Sequence, residues 1–198
     1  MDQAKSLRAR RRDLVRHELA VQAADYCAEH GFEELTTDQL AQGTGVSRAT
    51  FFRYFASKED AVVSAALDSK VSLSRVLASL SFDRSGLWQA LETAAAEAAA
   101  GSTISPERLR SWRAMITGSS ALRAQLAYHR AEERAELTAL LMQQIEDDAV
   151  AVAYANATFA ALDTAWTLWA RDSTSGISSA VARAFAMFSQ LSNVHSNQ

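Results

Sequence analysis

The sequence predicts an all-α protein, with an N-terminal three-helix helix-turn-helix head and a C-terminal helical bundle, about nine helices together. Three observations predict it. Turn residues are scarce, with 7 Gly and 1 Pro among 198 residues. Alanine, the best helix former, occurs 40 times. Apolar residues recur at helical spacing, first as Val15, Leu19, Ala23 and Cys27. An apolar fraction of 48% suits a core and excludes wholesale disorder.

The elements follow in order. The first helix carries that stripe and stops at Gly31, with Phe32 closing the cap. Cys27 lies on the stripe and reads as a small buried hydrophobe. Thr36 caps a short second helix, with Gln39 at the capping-box position and Leu40 and Ala41 facing inward. Gly43-Thr44-Gly45 ends it. Ser47 caps a third helix, Arg48 to about Tyr54, and Ser57 a fourth, Lys58 to about Leu80. Two short helices joined by a glycine turn, braced by a longer one, describe a helix-turn-helix unit.

Beyond it, Ser85-Gly86 starts a helix to about Ala100. Ser105-Pro106 caps another to about Thr117, with proline at the first helical position. Two long helices cover about Ser120–Ile145 and Asp147–Arg171, and a last one Ile177–Leu191. Asn193–Gln198 is expected to fray. The domain boundary falls between residues 57 and 58.

Net charge is −3, which taken alone argues against a polyanionic partner. Its distribution argues otherwise. Residues 1–17 carry +4, residues 18–46 carry −6, and residues 47–58 carry +3. Positive charge is therefore concentrated on an arm (Lys5, Arg8, Arg10, Arg11, Arg12) ahead of the first helix and on the third helix. The arm suits a DNA backbone or minor groove, or else serves only as a solubilising tail.

The string Thr36-Thr37-Asp38-Gln39-Leu40-Ala41, then Gly45-Val46-Ser47-Arg48-Ala49-Thr50-Phe51-Phe52-Arg53-Tyr54-Phe55-Ala56-Ser57-Lys58-Glu59-Asp60, resembles the DNA-binding domain of the TetR family of bacterial transcriptional regulators. The likeness runs from about Val15 to about Val63. It implies that the third helix enters the major groove and reads bases from its first residues. Ser47, Arg48, Ala49 and Thr50 stand there, with Phe52, Arg53 and Tyr54 toward the duplex and Phe51 and Phe55 in the core. Arg48 suits a guanine edge or a phosphate. Thr37 and Lys58, each on the first turn of a helix, are the phosphate clamps that the resemblance implies. Two positions depart from the family pattern. Phe52 stands where tyrosine is frequent and brings no hydroxyl to a phosphate. Thr44 stands where a small alanine is usual.

In the bundle, polar groups interrupt apolar stripes. Trp112, Met115, Phe159 and Trp166 are expected to line a ligand pocket, with His129, Asn156 and Asp163 orienting the ligand. The same residues equally suit a satisfied core or a solvent edge. Leu162, Trp169, Val181, Phe185 and Phe188, among small residues, are expected at a two-fold four-helix interface, which the last two helices form by resemblance.

Enzyme readings find no support. The four histidines are scattered, and paired-cysteine motifs, phosphate-binding glycine loops and nucleophile elbows are missing. No catalytic residue, metal or cofactor is expected. Neither a targeting segment nor a membrane span is visible, so the chain reads as cytoplasmic. The expected protein is a homodimeric regulator, a repressor of a pseudo-palindromic double-stranded DNA operator, released by a small apolar or aromatic effector, with coupling through helix four. The alternative is a DNA-binding dimer without a small ligand, controlled by a protein partner or by its own concentration.

Overall fold

The structure, a computed structural model, describes residues 2–67, 72–83, 85–172 and 174–193, with backbone alone at 2–6 and 191–193. The described residues form ten helices and no strand. They are α1 (Asp2–His30), α2 (Thr37–Gly43), α3 (Arg48–Tyr54), α4 (Lys58–Ala66), α5 (Leu73–Ser79), α6 (Leu87–Ala100), α7 (Pro106–Gly118), α8 (Ser120–Met142), α9 (Asp148–Arg171) and α10 (Ile177–Asn193).

The tenth helix arises because the expected helix four is two helices. α4 ends at Ala66, where Leu67 caps it with its N–H on the Val63 and Ala65 carbonyls. A new helix begins at Leu73. Residues 68–71 lie outside the described residues. The expected frayed tail beyond Asn193 lies outside them too. The basic arm also differs from expectation: it is the beginning of α1, not a segment ahead of it.

The caps form as local chemistry dictates. Thr36 Oγ1 accepts the Gln39 N–H at 3.3 Å, and the Thr36 N–H donates to Gln39 Oε1 at 2.9 Å. The hydroxyl oxygens of Ser47, Ser57 and Ser105 accept backbone N–H groups at the starts of α3, α4 and α7. Two glycines shape the turn after α2. Gly45 has φ +71°, and a Cβ on Gly43 would stand 2.6 Å from the Tyr26 ring. Tyr26 of α1 therefore packs directly on the end of α2.

Two compact units are present. The first holds Met1–Asp68 and Ile104–Tyr128, the second Ser69–Thr103 and His129–Gln198. In the first, α1 packs on α2, α4 and α7, and α7 also packs on α4. Its core includes Ala23, Cys27, Leu40, Phe51, Phe55 and Trp112, each at most 1% exposed. Burial pushes the Cys27 thiol up to about 12. Ellman's reagent at pH 8 is therefore expected to label Cys27 only as fast as the protein unfolds, and rapid labelling of the folded chain would contradict this packing.

In the second unit, α10 packs on α9 and α6, and α6 on α5 and α9. Alanines make this possible: Ala94 and Ala95 of α6, and Ala151, Ala155, Ala161 and Ala165 of α9, are fully buried. The Trp88 Nε1–H donates to the Phe185 carbonyl at 3.3 Å, and the two rings lie 4.7 Å apart.

This packing already buries, within one chain, most of the residues expected at the interface. Leu162, Trp169, Val181 and Phe185 are 5%, 3%, 0% and 0% exposed within one chain, and Phe188 is half-buried. Large residues facing small ones do mark a close helix contact here. That contact lies among α6, α9 and α10 of the same chain, and its pattern does not specify which chain supplies the partner.

Candidate nucleic-acid interface

α3 is short and shows most of its surface. Phe51 is buried, whereas Arg48, Ala49, Phe52 and Arg53 are exposed and Thr50 and Tyr54 half-buried. Phe52, 44% exposed, meets the Phe51 ring edge-on at 6.0 Å. The Arg48 guanidinium lies over the Phe52 ring, 5.5 Å from its centroid. The Arg53 guanidinium lies over the Tyr54 ring at 5.2 Å. Ser47 is exposed and donates its hydroxyl to Thr50 Oγ1 at 3.0 Å. The predicted base-reading residues thus share one surface with two cations and three hydroxyl-bearing side chains.

Sequence reasoning missed the partner of Arg48. Its Nη1 donates to both carboxylate oxygens of Asp38 on α2, at 2.9 Å each. One nitrogen serves both oxygens, so the guanidinium is not consumed as a fork. Asp38 is ten residues away, and only the fold of the turn brings the two together. Such an exposed pair is worth at most about 1 kcal/mol. Asp38→Asn is therefore expected to raise affinity for arbitrary duplex DNA about threefold to tenfold, by releasing Arg48 and deleting a negative charge from this surface. Fluorescence anisotropy with a non-operator duplex checks this, and unchanged affinity would count against Arg48 at the interface.

The two expected phosphate clamps stand differently. Thr37 is half-buried at the first position of α2. Lys58 is turned inward: its ammonium donates to the Phe32 and Leu35 carbonyls at 2.9 and 2.8 Å and lies 4.2 Å from the Phe32 ring centroid. It ties down the loop between α1 and α2. Two of its three protons are spent there, and any phosphate contact would use the third.

α1 fixes the far end of α3. The Arg16 Nε donates to the Tyr54 carbonyl at 3.1 Å, and its Nη2 to Asp60 Oδ1 at 3.3 Å and Ser64 Oγ at 2.9 Å. The Arg12 Nη2 donates to the Arg53 carbonyl at 3.5 Å. α7 is bound to the same unit through carboxylates. Asp25 accepts two hydrogen bonds from Arg108 and one from Trp112 Nε1 at 3.2 Å, and Ser119 donates to Glu33 at 2.6 Å.

The residues expected to line a ligand pocket are divided between the two units. Trp112, fully buried, and Met115 belong to the first unit, and the other five residues to the second. There, Asn156 and Asp163 are exposed. Trp166 packs edge-on against Trp169 at 5.5 Å, and half-buried His129 stands 3.9 Å from Glu132. Phe159 lies beneath the guanidiniums of Arg130 and Arg134. A separate cleft of about 420 Å³ in the second unit is lined by Leu80, Ser81, Phe82, Asp83, Leu87, Gln144 and Ile145. Hydrogen bonds from the Ser85 hydroxyl and the Gly86 N–H hold the Asp83 carboxyl below its ordinary range. No group of three or more histidine, cysteine or acidic side chains suited to a metal occurs among the described residues. No helix among them is long and apolar enough to cross a membrane.

Comparison with known proteins agrees with this geometry. The family model for bacterial regulatory proteins of the tetR family matches residues 21–64. A Mycobacterium tuberculosis protein that carries the name mycofactocin biosynthesis transcriptional regulator MftR is 41% identical over 49 residues, 25% of this chain and 25% of the relative. A solved structure from Mesorhizobium loti, bearing the name TetR-family transcriptional regulator, superposes with a TM-score of 0.51 at 16% identity, covering 93% of this chain and 98% of that one. That likeness establishes the fold, and the match at residues 21–64 establishes the head. The helix-turn-helix segment, residues 21–64, matches the tetR family of bacterial regulatory proteins, and the chain shares the all-helical fold of a solved structure that bears that family's name.

Proposed function

We propose that the protein is a sequence-specific DNA-binding transcriptional regulator, a homodimeric repressor that leaves a pseudo-palindromic operator when a small ligand occupies its second unit. The observation that carries the reading is the outer face of α3, where Arg48, Ala49, Phe52 and Arg53 are exposed and Thr50 is half-buried, on an element whose width a major groove admits. A single head of this size contacts little DNA, and two heads related by a two-fold axis read two half-sites.

Val152 and Met187, 40% and 45% exposed, support the dimer. They stand on the outward sides of α9 and α10 among exposed Ala153, Ala160, Ala182 and Ala186. This apolar, small-residue surface takes the place of the interior residues first expected to meet a second copy. Ligand release is then a population shift: an effector that binds one arrangement of the dimer better favours it at the expense of the arrangement that matches the operator.

Selection of binding sites from a random duplex library tests the reading. It should yield an inverted repeat, and Arg48→Ala should abolish enrichment at defined positions of each half-site. A selection without enrichment would overturn it. The densely packed alanine contact among α6, α9 and α10 favours a second reading, in which the dimer responds to a protein partner or to its own concentration without a small ligand.

A further inference from the structure

The second unit contains a cationic cluster that the DNA-binding reading does not use. Arg130 and Arg134 stand one turn apart on α8, and both guanidiniums lie over the Phe159 ring of α9, 5.6 and 6.0 Å from its centroid. The Arg130 side chain is only 13% exposed. Its Nη1 pairs with Glu133 Oε2 at 3.1 Å, while its buried Nε has no hydrogen-bond partner. No carboxylate among the described residues lies within ion-pair distance of the Arg134 guanidinium. His129 is engaged with Glu132, and Asp163, one turn beyond Phe159, is exposed and joins neither arginine.

The local sum of Arg130, Glu133 and Arg134 is therefore +1, placed against an aromatic ring with one buried donor unsatisfied. Like charges four residues apart on a helix repel, and a buried donor left unpaired is costly. Both defects are removed by one guest, an oxyanion that accepts from Arg130 Nε and lies between the two guanidiniums, whose planar donor arrays suit carboxylate and phosphate.

We infer that this cluster binds the anionic group of the effector, so that the ligand is an acid, a carboxylate or a phosphate ester with an apolar body, and not a neutral apolar molecule. The inference rests on the ligand-released reading above, and its test uses no DNA, so the two fail separately.

The test is the thermal midpoint of the full chain titrated with sodium acetate, sodium benzoate and inorganic phosphate against sodium chloride at equal ionic strength. The expected result is a saturable rise of about 3 °C at roughly tenfold excess over the dissociation constant. Arg134→Gln and Arg130→Gln should each remove it. A response to acetate and benzoate points to a carboxylate ligand, and one to phosphate alone to a phosphate ester. Without added anion, Arg134→Gln should have a midpoint equal to or above that of the parent, because a repulsion is relieved. Three results would overturn the inference: no saturable difference from chloride, a response that survives in both variants and so belongs to the DNA-binding head, or a midpoint that falls by several degrees in Arg134→Gln without anion.

Discussion

Asp60→Ala is expected to destabilise the first unit by about 2–4 kcal/mol and to abolish DNA binding under conditions where the parent is fully folded. Asp60 is 7% exposed and joins three elements. Its Oδ2 accepts the Ala56 N–H at 2.9 Å, between α3 and α4. Its Oδ1 accepts from Arg16 of α1 at 3.3 Å and from Ser64 of α4 at 3.2 Å. Arg16 carries the connection on to the Tyr54 carbonyl, the last residue of α3, and covers the Phe55 ring at 5.1 Å. Removing the carboxylate leaves the Ala56 N–H without its acceptor and takes the anionic partner from a half-buried guanidinium that keeps the Tyr54 carbonyl and Ser64 Oγ. The Arg16 side chain is 38% exposed, so water moderates the loss, which sets the range below that of a fully buried pair. Urea unfolding should show a lower midpoint at unchanged slope. Asp60→Asn, which retains an acceptor but not the charge, should fall between. A loss under about 0.5 kcal/mol would show that the angle between α1 and α3 is set by apolar packing alone.

The contrast between Asp60 and the caps shows how much was legible beforehand. Thr36 with Gln39, Ser47, Ser57, and Ser105 with Pro106 act within four residues, so their spacing in sequence is their spacing in space, and α2, α3, α4 and α7 start where the sequence predicts. The inward positions Leu40, Ala41, Phe51 and Phe55 follow from the same short period. Arg16 with Asp60 and Asp25 with Arg108 are 44 and 83 residues apart, and no local pattern announces them. The small-and-large stripe of α9 was visible, but a stripe records the fit of two surfaces and not whether one chain or two supply them. The helical arm carried a signal that was available. Residues 2–12 contain neither glycine nor proline and are mostly Ala, Leu, Lys and Arg, all strong helix formers.

That helical arm leads to the second large effect. α1 runs unbroken from Asp2, and Arg8, Arg10, Arg11 and Arg12 are all exposed on it. A helix sorts these cations by face, which a flexible tail would not. Positions 8, 12 and 16 succeed one another at four-residue steps on one side. Two of them are already located: Arg16 donates to the Tyr54 carbonyl and Arg12 to the Arg53 carbonyl, both at the end of α3. Arg8 continues that line one turn further, which would place it beside the DNA flanking the groove that α3 is proposed to occupy. Arg10 lies on another side of the helix. Each phosphate contact contributes about 0.9 to the slope of log K against log salt. In a dimer, Arg8→Gln should therefore lower the magnitude of that slope by about 2 and weaken operator and arbitrary DNA alike, whereas Arg10→Gln should change it by less than about 0.5. Glutamine keeps the helix propensity, so the comparison isolates charge. Binding isotherms at several salt concentrations decide the matter. Equal slopes for the two variants would mean that the arm meets DNA as a diffuse cationic tail, and a slope unchanged in both would remove it from the interface.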